Sequence, residues 1–203
     1  MTKIILVRHG ETSWNLEKKY QGHADISLTE TGLLQAELVA KRLKKHYHFD
    51  AIYSSDLCRA FKTAESIAKL YDKQVISIPE LREINFGEWE GLNYEAIDSR
   101  YPDSMNKLFT SPGEVDIPGG ETFEFLKTRA MKAIHRLCRL HSNQTIAIVS
   151  HGGTIRTILC AVLNLHLNYL WNIKQDNTAV NVIEFYGDQV LVSLVNDTHH
   201  LYS

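Results

Sequence analysis

Two distant stretches of the chain share one pattern, and that pattern narrows the folds available. Lys3-Ile4-Ile5-Leu6-Val7 runs into Arg8-His9-Gly10, and Thr145-Ile146-Ala147-Ile148-Val149 runs into Ser150-His151-Gly152-Gly153. A short continuous apolar run rich in β-branched residues fits a central strand covered on both faces better than a half-exposed one. In open α/β sheets, ligands bind in the crevice outside the carboxyl ends of the strands. The two His-Gly ends therefore read as parts of one site, with His9 and His151 brought together across most of the sequence.

Strand-like segments near 3–8, 50–55, 74–78, 145–150, 179–186 and 189–195 alternate with helical patterns. Apolar residues recur at helical spacing in four places: Leu33 to Leu43 with Thr29 or Thr31 as cap, Phe61 to Tyr71, Phe123 to Leu137, and Ile155 to Val162. This alternation predicts an α/β fold, a three-layer α/β/α sandwich around a mostly parallel sheet. Tyr186-Gly187-Asp188-Gln189 reads as a hairpin turn, which makes the C-terminal strand antiparallel to its neighbour. No linker divides the 203 residues, so 1–203 is expected to form a single domain.

Residues from about 88 to 121 break the pattern. They hold three of the four prolines and several glycines, with one short helix expected near Asn93 to Arg100. A long irregular excursion in a compact domain is usually a functional lid or disordered, and Trp89, Tyr94, Tyr101 and Phe109 favour an ordered, lid-like one.

A formal net charge of −2 argues against a nucleic-acid-binding protein. No apolar stretch approaches the roughly 20 residues that span a bilayer, and the first residues enter a strand without a signal-like segment, so no membrane association and a cytoplasmic location are expected. Cys58, Cys138 and Cys160 lack a Cys-x-x-Cys spacing and suit reduced thiols, with Cys138 and Cys160 as small buried residues. His199 and His200 read as surface residues. A homodimer stands among the expectations, although no residue pattern fixes the oligomeric state.

Two histidines at strand ends could bind a metal, act as an acid–base pair, or include a nucleophile. A metal site calls for a third ligand at a recognisable spacing, and none accompanies either histidine. Arginine and glycine accompany them instead. Arg8 precedes His9, and Arg59 follows the strand end Ser54-Ser55-Asp56, so two guanidinium groups can converge on one crevice. Arginine grips phosphate oxygens in bidentate fashion, glycines admit close backbone approach, and the helix beginning near Thr154 presents its amide-rich end to an anion. A small phosphate ester is the guest these residues suit, with no cofactor or metal required.

The run Leu6-Val7-Arg8-His9-Gly10-Glu11-Thr12 followed by Asn15 resembles the signature of the histidine phosphatase superfamily, also called phosphoglycerate-mutase-like. The resemblance continues through Tyr53-Ser54-Ser55-Asp56-Leu57-Cys58-Arg59-Ala60, Leu81-Arg82-Glu83-Ile84-Asn85-Phe86-Gly87-Glu88-Trp89-Glu90-Gly91, Gly119-Gly120-Glu121 and Ser150-His151-Gly152-Gly153. It implies that His9 is the nucleophile that forms a phosphohistidine, that Arg8, Arg59 and His151 hold the phosphoryl oxygens, and that Glu83 is the general acid. Asn15 and the Gly152 amide would complete the pocket, and Thr12, Gln21 and Gly22 would bind substrate. Glu11, Thr12 and Asn15 can equally serve as capping residues. Phosphoryl transfer is catalysed largely by positioning and electrostatics, which cationic side chains and amides supply.

Within that superfamily the chain resembles the phosphatase branch, and the Trp171-to-Val182 segment resembles α-ribazole phosphatases. Between Glu88 and Glu121 two basic residues face eight acidic ones, and acidic walls repel polyanions. An aromatic leaving group, stacked on the aromatics of the excursion, is therefore expected over a bisphosphorylated glycerate. The alternatives are a cofactor-dependent phosphoglycerate mutase or sugar bisphosphatase and, in another class, a non-catalytic phospho-ligand-binding pseudoenzyme.

Overall fold

The computed structural model of the chain describes residues 1–187 and 189–202. Among these, β1 (Thr2–Arg8), β2 (Ala51–Ser54), β3 (Val75–Ser77), β4 (Thr145–Ser150), β5 (Val180–Tyr186) and β6 (Gln189–Asp197) join in a sheet of order β3-β2-β4-β1-β5-β6. β3, β2, β4 and β1 run parallel, β5 is antiparallel to β1, and β6 is antiparallel to β5. The mostly parallel sheet with its antiparallel C-terminal pairing is as expected; Asp188 of the predicted hairpin turn lies outside the described residues.

Strand alternation divides the core into two layers. Ile4, Leu6, Ile146 and Ile148 pack against α6 (Phe123–Leu140) and α7 (Gly152–Val162). Ile5, Val7, Ala147 and Val149 pack against α2 (Glu30–His46) and α3 (Cys58–Tyr71). Burial on both faces explains why β1 and β4 are continuous apolar runs. Thr29, the cap of α2, accepts a bond from the Gly32 amide, and Thr122 caps α6 in the same way through Phe125.

β1 and β4 are neighbours, with Arg8 opposite Ser150. β1 leads towards α2 on one face and β4 into α7 on the other, so a crevice opens beyond their carboxyl ends, as at topological switch points generally. The repeated His-Gly ends stand at this crevice.

The excursion is more regular than its composition suggests. α4 (Tyr94–Arg100), capped by Asn93, is the short helix expected there, but a second, α5 (Ser104–Thr110), follows it unexpectedly: Asp103 precedes it in the left-handed region at φ 66° and makes no side-chain cap bond. Both helices close over a third apolar cluster of Ile84, Phe86, Trp89, Met105, Leu108 and Phe123, among others. The C-terminal end folds back as well. His200 is buried, against the surface position expected from sequence, because a short 3-10 turn (His199–Leu201) tucks its ring within 3.0 Å of the Thr178 hydroxyl; His199 is exposed. The three cysteines are free thiols, with Cys160 buried and Cys58 and Cys138 only partly so. No helix among the described residues is long and apolar enough to cross a membrane.

Candidate active site

The crevice is lined by Arg8, His9, Asn15, Lys19, Tyr20, Gln21, Arg59, Glu83, Phe86, Gly152, Gly153, Arg156 and Trp171, around a volume of about 150 Å³. The His9 and His151 rings lie 5.2 Å apart, centroid to centroid. His9 Nδ1 is 2.7 Å from the Gly10 carbonyl. A carbonyl can only accept, so Nδ1 carries the proton and Nε2 keeps its lone pair. Burial, then Arg59 and Arg8, hold the His9 pKa well below its usual value, so the imidazole is neutral.

His151 caps α7 with its backbone, and its Nε2 lies 2.8 Å from Ser55 Oγ. The Ser55 hydroxyl also accepts the Leu57 amide and keeps both a proton and a second lone pair for His151 Nε2; where it donates that proton, the ring proton stands on Nδ1. That Nδ1 is buried and without a partner, as are Nε of Arg8 and Nε of Arg59. Buried polar atoms are normally satisfied, and these three, two of them guanidinium donors, gathered at one crevice fit the surroundings of an anion.

Backbone carbonyls fix both arginines. Arg8 Nη1 donates to Gln175 O at 2.7 Å, and Arg59 donates through Nη1 to Ala24 O and through Nη2 to Gly22 O, both at 2.7 Å. Burial and the neighbouring Arg156 lower the Arg8 pKa to about 10, which leaves it cationic at neutral pH.

Glu83 reaches the crevice from the loop after β3 and rests on the start of α7. Its Oε2 accepts the Gly153 amide at 2.9 Å and its Oε1 the Thr154 amide at 3.0 Å. A carboxylate suits a helix N-terminus, where amides point outward unpaired. A Cβ on Gly153 would lie 2.6 Å from Glu83 Oε1, so a side chain there would displace the carboxylate. Three backbone carbonyls of the Glu83 loop, those of Glu80, Arg82 and Glu83, accept from Arg129 at 2.7 to 2.8 Å, and Arg82 is paired with Asp56.

The fold thus gathers Arg8, His9, Asn15, Gln21, Arg59, Glu83, His151 and Gly152 at one place. Thr12 and Gly22 stand behind it. Thr12 is fully buried and caps α1 (Ser13–Leu16); its amide donates to Asn15 Oδ1 at 3.1 Å, so it orients Asn15 without lining the crevice. Gly22 contributes the carbonyl that holds Arg59, at φ +52° and with no room for a Cβ.

The expected aromatic entrance is corrected. Trp89 is fully buried and Tyr101 packs against it, while Tyr94 and Phe109 stack on each other at the surface. Tyr20, Phe86 and Trp171 line the crevice instead. The expected acidic wall is corrected too, because the acidic residues of the excursion face elsewhere: Glu90 accepts the His23 and Ala24 amides, Glu121 pairs with Arg129, and Glu88 accepts from the Tyr101 hydroxyl. Glu83 is the acidic residue of the lining, against Arg8, Arg59, Lys19 and Arg156. Arg156 and Lys19 are not singled out by any motif, although Arg156 lies one helical turn beyond Gly152 and so shares its face of α7.

Residues 4–198 match the family described as the Histidine phosphatase superfamily (branch 1). Phosphoserine phosphatase 1 of Hydrogenobacter thermophilus is 35% identical over 201 residues, covering 99% of this chain and 95% of that one. The crystal structure of a phosphoserine phosphatase mutant from Entamoeba histolytica in complex with phosphoserine superposes with a TM-score of 0.90 at 35% identity, over 99% of this chain and 100% of that one. The α-ribazole phosphatase of Shigella flexneri gives 0.87 at 27% identity, over 97% and 96%. The match over nearly the whole length, on a crevice built from two His-Gly strand ends and paired arginines, places the chain in the histidine phosphatase superfamily, branch 1, as a phosphatase acting on small phosphorylated metabolites.

Proposed function

We propose that the crevice hydrolyses phosphate monoesters of small hydroxy acids, phosphoserine foremost, through a phosphohistidine on His9. The observation that carries this reading is the 2.7 Å contact from His9 Nδ1 to Gly10 O, which leaves the Nε2 lone pair free to act as a nucleophile. In the first half-reaction Nε2 bonds to phosphorus, the P–O bond to the leaving group breaks, and the departing oxygen takes a proton from Glu83, whose carboxylate receives it from the monoprotonated ester as that ester binds. In the second, Glu83 takes a proton from water as its oxygen attacks phosphorus. The P–N bond then breaks, inorganic phosphate leaves and His9 is restored. Arg8, Arg59, His151 and the start of α7 would hold the equatorial oxygens, where charge spreads during transfer. Asn15 and Gln21 would complete the phosphate's surroundings.

The relatives named phosphoserine phosphatases support the substrate, and so does size. A volume of about 150 Å³ is well below the roughly 300 to 1,000 Å³ of pockets that enclose drug-sized ligands, and it suits a three-carbon ester. Phosphate release from O-phosphoserine, 3-phosphoglycerate and an α-ribazole-type nucleotide, compared by kcat/KM and repeated with His9→Ala, tests the reading. Turnover surviving in His9→Ala, or loss on chelation that zinc or magnesium restores, would overturn the phosphohistidine route.

A second reading, release of an aromatic nucleotide such as α-ribazole, draws on Trp171 and Tyr20 in the lining and on the similarity to α-ribazole phosphatase. It requires a higher kcat/KM for the nucleotide than for phosphoserine. Interconversion of 2- and 3-phosphoglycerate with little free phosphate would point instead to a mutase.

A further inference from the structure

Arg156 and Lys19 are the cations of the crevice to which the phosphoryl chemistry above gives no role. Arg156 Nε donates to Ile173 O at 2.7 Å, and its Cζ lies 5.3 Å from the centre of the Trp171 ring. Trp171 is itself held by a bond from its indole Nε1 to Leu108 O at 2.5 Å. The guanidinium is thus oriented in advance, while its two Nη groups have no hydrogen-bond partner among the described residues. Lys19, the other extra cation of the lining, is already paired with Glu17 at 2.6 Å.

Arg156 Nη1 lies 3.0 Å, and Arg8 Nε 3.4 Å, from the point where a Cβ on Gly152 would stand. The two guanidinium groups therefore flank Gly152, one facing the phosphoryl position beside His9 and the other displaced along α7 towards Trp171. Burial, then Arg156, lowers the pKa of Arg8, and burial lowers that of Arg156, while Glu83 and Asp176 favour the charge of both, so two cationic guanidinium groups stand side by side at Gly152. In the hydrolase reading Arg8, Arg59 and His151 would hold one phosphate, through buried Nε and Nδ1 atoms that have no partner among the described residues. A second oriented guanidinium with unused donors calls for a second anionic group on the same small molecule.

We infer that Arg156, braced by Trp171, binds a carboxylate on the leaving group and makes the enzyme select phosphate esters of short hydroxy acids over otherwise similar esters without an acid. This rests on the hydrolase reading above and adds the residue that reads the substrate.

The test compares O-phosphoserine with phosphoethanolamine, which keeps the ester and the amine but lacks the carboxylate. The wild-type enzyme should favour phosphoserine in kcat/KM by about 10- to 100-fold, the range expected for a charged hydrogen-bonded pair. Arg156→Met should bring that ratio close to one, by raising KM for phosphoserine more than it lowers kcat. Arg156→Lys, which keeps the charge but not the planar fork, should give an intermediate ratio and covers the case in which the methionine variant fails to fold. Equal preference in the wild type, or a ratio unchanged in the variants because both esters lose activity alike, would overturn the inference while phosphate release leaves the hydrolase reading standing. If neither ester is hydrolysed, that reading fails instead, and calorimetric binding of the two esters to wild type and Arg156→Lys still decides: the inference requires tighter binding of phosphoserine and its weakening in the variant.

Discussion

The Arg129 guanidinium donates to the backbone carbonyl of Glu83 at 2.7 Å, the same carbonyl that the His23 ring approaches at 3.0 Å. Arg129 also binds the carbonyls of Glu80 and Arg82 and is paired with Glu121, so one half-buried side chain on α6 sets the path of the loop that carries the proposed acid. Displacement of a catalytic group by about 1 Å can cost on the order of 100-fold in rate. Arg129→Met should therefore lower kcat for phosphoserine by roughly that factor. It should harm p-nitrophenyl phosphate much less, because that leaving group needs little protonation. Comparable losses on both esters would show a general structural role.

His9 is held neutral by burial and by two guanidinium groups, with its proton on Nδ1. A lowered pKa means that neutral imidazole persists as the pH falls through 6.5, where an ordinary histidine would take up a proton. Nitrogen NMR of the protein should show His9 still neutral at pH 6, in the Nδ1–H form. Protonation near pH 6.5 would mean that the arginines do not control it.

Much of this arrangement is legible in the sequence because it depends on local chemistry. The β1 and β4 runs, the His-Gly strand ends and the Thr29 cap each follow from short-range rules. What is not legible depends on the packed chain. Trp89 and Trp171 look alike in sequence, yet one fills the core beneath α4 and α5 and the other lines the crevice, a choice made by neighbours remote in sequence. The acidic residues of the excursion look like a charged wall until their partners are seen: Glu90 and Glu121 bind backbone amides and an arginine, so net charge along the chain misstates the charge facing the ligand. Arg129 acts on residues nearly fifty positions away, which no local pattern announces.

Gly22 links the backbone to the proposed phosphate site through Arg59. Its φ of +52° is costly for other residues, and an added Cβ would lie 2.0 Å from Glu90 Oε1 and 2.8 Å from the Phe86 amide nitrogen. The Glu90 carboxylate cannot readily retreat, since it accepts the amides of His23 and Ala24. Gly22→Ala should destabilise the fold by about 1–3 kcal/mol. Because the Gly22 carbonyl holds Arg59, the same change should weaken competitive inhibition by inorganic phosphate. Denaturant melts and phosphate inhibition constants measure the two effects, and an unchanged inhibition constant would separate Gly22 from the function of Arg59.

His200 gives the stability of the fold a pH dependence of its own. Burial, then Arg42, lowers its pKa from 6.5 to about 4, and the ring lies against Thr178. The Thr178 hydroxyl donates to Asn177 O, so His200 Nε2 is the donor to the Thr178 oxygen and the ring is neutral. Thr178 in turn donates its amide to His9 O at 3.3 Å, which ties the C-terminal turn to the backbone of the proposed nucleophile. The unfolded chain binds a proton at this residue below pH 6.5, whereas the folded chain does so only near pH 4. The contribution of neutral His200 is therefore fully present above pH 6.5 and is lost as the pH falls towards 4. His9 and His151 have lowered pKa values and add slopes of the same sign. Urea melts between pH 7 and pH 4 should show stability falling with acidity, and His200→Gln should flatten that fall without abolishing it. An equally steep slope in the variant would mean that His200 does not contribute to the acid sensitivity of the fold.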